Sequence, residues 1–195
     1  MASDKIFQQT RDLISSIAYV YQLKSIPRTG WLQAGMQAID VESIAGHSFG
    51  MSLLILYLRP AILSNGINVE RCLNMAMIHD IAEAIVGDLT PQDGVLLQDK
   101  HVAEANAFDQ IVKDVQAGKY FKELWEEFEI ANSAEARLVK RIDKLDMLIQ
   151  AFLYEKKFSI RLDSFWENMD QLFKDSESES IYNYILSNRF ELKGN

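Results

Sequence analysis

No stretch of the 195 residues alternates β-branched and polar side chains; apolar residues return every three or four positions instead, between short breaks. A half-buried strand needs a period of two and an amphipathic helix one near 3.6, so the pattern restricts the chain to helices. We expect an all-α helical bundle of seven or eight helices. Ile6, Leu13, Ile14, Ile17, Ala18 and Tyr21 mark an opening helix, broken in "SIPRTGW" by Pro27 and Gly30. A second should run from Ser43 to Leu58 and stop before Pro60, because proline disfavours helical geometry in the residue preceding it. A third should run unbroken from an Asn68 cap to Val86, with Gly87 as its C-terminal glycine. Val95 to Gln116 reads as a helix stopped by Gly118, and "YFKELWEEFE" as a short aromatic one. Asn132 and Glu135 resemble a capping box opening "AEARLVKRIDKLDMLIQAFLYE". Helices near Ser164 to Phe173 and Ser180 to Leu192 flank the polar link "KDSESES".

This length suits one domain, residues 1–195. A net charge of -8 offers no basic field to a nucleic-acid polymer. The apolar run "MSLLILYL", Met51 to Leu58, is less than half of what a bilayer span requires, so no membrane partner is expected. Cys72 is the only cysteine and no secretory signal opens the sequence, which together imply an intracellular, cytoplasmic protein.

The stretch that asks for chemistry is "MAMIHDIAEAIVGDLTP", Met75 to Pro91. On a continuous helix His79, Asp80 and Glu83 share one sector, among Met75, Ala76, Met77, Ile78, Ile81 and Ala84. An unpaired carboxylate there costs on the order of several kcal/mol, and a bound divalent cation compensates it directly. Adjacent His and Asp cannot complete a coordination shell. His47, opening "GHSFGMSLLILYL", and Asp143, with Val139 and Met147 one turn to either side, would make a four-ligand set with His79 and Asp80. Blander roles stand beside these. A lone apolar-face histidine is usually a satisfied core residue, and Asp143 has Lys140, Arg141 and Lys144 as salt-bridge neighbours. Asp146, on nearly the same face, is the alternative salt-bridge carboxylate, and His101 is assigned to a solvated or half-buried helix face.

His47, "HD" at His79-Asp80 and Asp143 together resemble the H…HD…D signature of the HD-domain phosphohydrolases. "RTGW", "AGHSFGMSLL", "IHDIAEAIVGDLTP", "LWEEFE" and "SAEARLVKRIDKLDMLIQA" extend the resemblance to the YfbR-like 5'-deoxynucleotidase branch, over most of residues 22–155. The resemblance implies an HD-domain helical bundle and one divalent metal ion (Mn, Co, Fe, Ni, Zn or Mg) on His47, His79, Asp80 and Asp143. It also implies catalytic Glu83 and Asp88, substrate-binding Arg28 and Trp31, a deoxyribonucleoside 5'-monophosphate substrate, and a homodimer. Many relatives carry an acidic residue immediately before the first histidine. Here it is Gly46, so the acceptor for the other N–H of His47 must come from elsewhere. Other HD phosphohydrolase activities, on nucleotide phosphodiesters or pyrophosphates, and a non-catalytic nucleotide- or metal-binding module are the competing readings.

Overall fold

The computed structural model describes residues 2–189. The opening amphipathic stretch forms α1 (Ala2–Val20), prolonged by a 3₁₀ turn over Tyr21–Lys24. At the proline break the backbone pairs once with the start of the next long helix. Pro27 and Ser43 form an isolated antiparallel bridge, with Arg28 N–H donating to Glu42 C=O and Ile44 N–H to Ile26 C=O, both at 3.0 Å. This stitch carries Arg28 and the short α2 (Thr29–Gln33) to the N-terminus of α3 (Ile44–Tyr57). The Ser43 hydroxyl caps α3 by accepting the Gly46 N–H. Pro60 lies in the first turn of α4 (Arg59–Ser64), where its missing N–H leaves no helical bond unmade. Asn68 caps α5 (Val69–Ile78), and the four-residue α6 (Glu83–Val86) ends at Gly87, whose φ of 79° favours glycine. After these come α7 (Leu97–Val112), α8 (Gly118–Ile130), the 25-residue α9 (Ala134–Phe158), α10 (Asp170–Phe173) and α11 (Glu179–Ser187). Seven of the eleven α-helical segments among the described residues are nine residues or longer.

Helices α3, α5 and α9 pack against one another and form the centre. Met51 and Ile55 of α3, Met75 of α5, and Val139, Ile142 and Leu145 of α9 are fully buried there. Each such side chain contributes roughly 1.5–3 kcal/mol of apolar burial. Helix α8 covers one flank with Leu124, Trp125 and Phe128. Cys72 lies wholly inside, and burial, with Glu135 next, pushes its thiol up to about 12. We therefore expect no reaction with a thiol-specific disulfide reagent at pH 8 in the native protein and complete reaction after unfolding, followed by absorbance.

Four local expectations are corrected. The helix expected over Asn68 to Val86 is two helices, interrupted over residues 79–82. Gly118 begins α8 rather than ending α7, and it packs so close to the Val112 carbonyl that a side chain would collide. The cap of α9 is Ser133, which accepts the Ala136 N–H at 3.0 Å, while Glu135 reaches across to the Asn68 N–H at 2.9 Å. The stretch expected as one helix from Ser164 to Phe173 holds only a 3₁₀ turn (Asp163–Phe165) and α10. The helix expected to reach Leu192 is followed to Ser187, and its last positions lie outside the described residues.

Candidate metal centre

Where α5 stops, the backbone tightens. The amides of Ile81, Glu83, Ala84 and Ile85 each donate three residues back, to Ile78, Asp80, Ile81 and Ala82. In such 3₁₀-like bonding side chains three apart eclipse one another, so Asp80 and Glu83 face the same way more closely than on an α-helix. His79, the residue that follows and caps α5, points its ring to the same region, with its edge against Phe128 of α8 at a centroid distance of 5.1 Å.

The two imidazoles are held alike, each by its Nδ1. That of His79 donates to the Ala76 carbonyl at 3.0 Å, and that of His47 to Asp146 Oδ2 at 2.8 Å. Each Nε2 is thereby turned toward carboxylates: Asp80 Oδ2 lies 3.0 Å from His79 Nε2 and 4.0 Å from His47 Nε2, and Asp143 Oδ1 lies 3.2 Å from His47 Nε2. These approaches are out of line for hydrogen bonds, so both buried Nε2 atoms are without a hydrogen-bond partner, as is Glu83 Oε2. One turn of α9 therefore grips one imidazole by both nitrogens, Asp143 on Nε2 and Asp146 on Nδ1.

Charge in the centre is strongly redistributed. Burial and the Arg28 charge would each lower the His47 imidazolium, but Asp143 and Asp146 outweigh them and raise it to about 9. Burial would raise Asp80, yet His79, Arg28 and His47 hold it below the usual carboxylate range. Asp143 is held well below that range against its burial, through His47 and Lys144. Glu83 moves the other way, pushed up to about 10 by burial first and then by Asp80 and Asp88. Arg28, with Nη1 3.5 Å from Asp80 Oδ2, is kept charged despite burial by Asp80, Asp143 and Asp88.

A metal ion fits this donor set. Ligand atoms of His47, His79 and Asp80 lie within 4.8 Å of one another, and Asp143 adjoins them through His47. Two buried imidazole nitrogens that face carboxylates and have no hydrogen-bond partner suit a first-row divalent ion. A cleft of about 320 Å³ opens on the group, lined by His79, Asp80, Glu83, Asp143, Lys100 and Lys140 among others.

Comparison with known proteins agrees with this geometry. The family model described as "HD domain" matches residues 20–182. The chain belongs to the HD domain family. Among curated HD domain relatives, bovine "5'-deoxynucleotidase HDDC2" is 35% identical over 185 residues, covering 92% of this chain and 86% of that protein. The Schizosaccharomyces pombe "5'-deoxynucleotidase hdd1" is 41% identical over 144 residues, 71% of this chain and 70% of that one. Among solved structures, the PH0347 protein from Pyrococcus horikoshii OT3 superposes with a TM-score of 0.73 at 38% identity, covering 92% of this chain and 99% of that chain.

Of the residues expected at an HD domain site, the structure brings His47, His79, Asp80, Glu83, Asp143 and Arg28 together. Asp88 lies at the border, its Oδ2 accepting the Thr29 N–H at 2.6 Å at the start of α2, so that it braces the segment carrying Arg28. Trp31 is not brought with them. It is 1% exposed, stacked on Phe165 at 4.4 Å, with Nε1–H donating to Glu42 Oε1 at 3.1 Å, and it touches the centre only through Glu42. His101 stays out of the donor set but lines the cleft, stacked on Trp125 and paired with Glu129. Lys100 went unnoticed in the sequence, and Lys140 stands there only as a salt-bridge neighbour of Asp143, because surface lysines on helices carry no distinguishing pattern. Glu42 went unnoticed too, although an acid five residues before His47 is the one local signal that was available.

Proposed function

We propose that the chain is a metal-dependent 5'-deoxynucleotidase, which hydrolyses deoxyribonucleoside 5'-monophosphates to deoxynucleosides and phosphate. The observation that carries this reading is the pair of buried, unpartnered Nε2 atoms of His47 and His79 facing Asp80 and Asp143. The names of the curated relatives supply the substrate class. His47, His79, Asp80 and Asp143 would hold one divalent ion, Mn, Co, Fe, Ni, Zn or Mg. Such an ion supplies Lewis acidity toward phosphate and makes nearby water more acidic.

Glu83, whose Oε2 is buried without a hydrogen-bond partner, accepts the proton of the attacking water. Burial, Asp80 and Asp88 raise its proton affinity in the metal-free centre, and a bound cation would lower it again, leaving the carboxylate free to accept. Water oxygen bonds to phosphorus, the bond from phosphorus to the 5'-oxygen breaks, and that oxygen leaves with the proton that Glu83 took from the water. Arg28, held charged beside Asp80, offers the non-bridging oxygens a planar pair of donors. Asp88 keeps the Arg28 segment in place through Thr29 and borders the path of the leaving sugar. Trp31 fixes the wall behind through Glu42.

The same reading takes residues 1–195 as a single HD domain, cytoplasmic and homodimeric. No helix among the described residues is long and apolar enough to cross a membrane. Phe49, Leu53, Leu56 and Tyr57 form an exposed apolar row on α3, a surface suited to a second copy. The test is phosphate release from dAMP, dGMP, dCMP, dTMP and dUMP. We expect release that EDTA abolishes and an added divalent metal restores. Release indifferent to EDTA, or none from any of the five with any metal, would refute the proposal.

A further inference from the structure

We propose that Asp146 is the positioning residue of this metal centre and that Gly50 supplies the space in which it sits. The inference deepens the metal-dependent reading above and rests on it. Asp146 lies one turn beyond Asp143 on α9, is 9% exposed, and takes the Nδ1–H of the fully buried His47 at 2.8 Å. A ligand histidine whose Nδ1–H is fixed in this way has its lone pair committed to Nε2, here on the side of Asp80 and Asp143. Glu42 does not take this place: its ligand atom lies within 4.8 Å of those of His47 and Asp146, but the Nδ1–H of His47 goes to Asp146, and Glu42 Oε1 accepts the Trp31 indole instead.

Opposite the carboxylate, α3 carries glycine. A Cβ on Gly50 would collide with Asp146 Oδ1 and stand 3.0 Å from Cγ and 3.3 Å from Oδ2. Gly50 is in the middle of α3, where glycine is the least favourable residue after proline, so its presence needs a reason. The carboxylate occupying the place of the missing Cβ is that reason. A methyl group there would drive Asp146 off His47, since the side chain can swing away only by giving up its bond to Nδ1.

The experiment measures Co²⁺ affinity by competition with a chromogenic chelator, with thermal unfolding alongside, for Asp146→Ala, Asp146→Asn, Gly50→Ala and the Gly50→Ala/Asp146→Ala double variant. Asp146→Ala should weaken Co²⁺ binding about 10- to 100-fold, and Asp146→Asn, which keeps an acceptor oxygen, by less. Gly50→Ala should weaken it about as much as Asp146→Ala. In the Asp146→Ala background the same change should cost no further affinity and should raise the melting temperature by about 2–4 °C, because only the helix preference for alanine remains. Wild-type affinity in Asp146→Ala, or an equal loss from Gly50→Ala in both backgrounds, overturns the positioning role alone. An unmutated protein that takes up no Co²⁺ overturns the metal reading and this inference with it.

Discussion

Replacing Glu83 by alanine should lower kcat for deoxynucleoside monophosphates about 10²- to 10⁴-fold, the usual range for loss of a positioned proton acceptor, while metal content stays near one ion per chain. The separation is expected because Glu83 sits beside the donor set without being needed to complete it. His47, His79, Asp80 and Asp143 already supply four ligands, and Glu83 Oε2 is buried and partnerless. Glu83→Gln should lose as much activity as Glu83→Ala, since it keeps the shape of the side chain and removes only the proton-accepting oxygen. It should also melt no lower than the unmutated protein, because a carboxyl pressed by burial, Asp80 and Asp88 is replaced by a neutral amide. Metal content by plasma mass spectrometry and initial rates on one preparation suffice. Near-normal turnover in Glu83→Ala with metal retained would remove Glu83 from the mechanism, and loss of metal along with activity would make it a ligand instead.

How this centre was legible in the sequence depends on which residue is considered. His79 and Asp80 stand out because an apolar helix face has no use for adjacent polar groups unless something compensates them. The turn that aligns Asp80 with Glu83 does not stand out. "IHDIAEA" contains no glycine or proline, and the switch to bonds three residues back comes where α5, packed on α3 and α9, gives way to α6, packed on α7, α1 and the 3₁₀ turn after α1. Helical spacing alone does not tell Asp143 and Asp146 apart on α9, since they stand three positions apart and both face inward. The structure gives each a nitrogen of the same imidazole. That division follows from how α3 is seated, with Gly50 leaving room on one side, and tertiary approach of this kind has no periodic signature.

Arg28 and Trp31 show the same limit. The sequence places them three apart at a proline break, yet the single bridge from Pro27 to Ser43 turns the arginine to the site and the tryptophan into the core. The N-caps of α3, α5 and α9 were readable to within a residue. Asn132 and Ser133 are both good caps, and Ser133 holds the place because Glu135 is drawn away to the Asn68 amide.

The largest loss of stability should come from the far end of α9. Glu155, 2% exposed, receives Nε and Nη2 of Arg189 at 3.0 and 2.6 Å and also the Leu162 N–H at 2.9 Å. Arg189 Nη2 continues to Asp163 at 2.8 Å, and the guanidinium lies 4.3 Å over the Trp166 ring. This two-pronged pair ties the segment after α11 to the helix that carries Asp143 and Asp146. Arg189→Ala leaves the Glu155 carboxylate buried with only one amide donor, which costs about 3–5 kcal/mol. That corresponds to a melting temperature lower by roughly 6–20 °C for a chain of this size. Glu155→Ala should cost a similar amount, because it strands the guanidinium instead. Glu155→Leu with Arg189→Met should recover much of the loss, since the penalty belongs to the unpaired charge and not to the absence of an ion pair. The pair is distant from the cleft, so below the melting transition every variant should keep unaltered kcat, KM and metal content. Scanning calorimetry with rates at 15 °C separates the two effects. A double variant as unstable as either single one would mean that the bond network itself, rather than charge compensation, holds the C-terminal segment to α9.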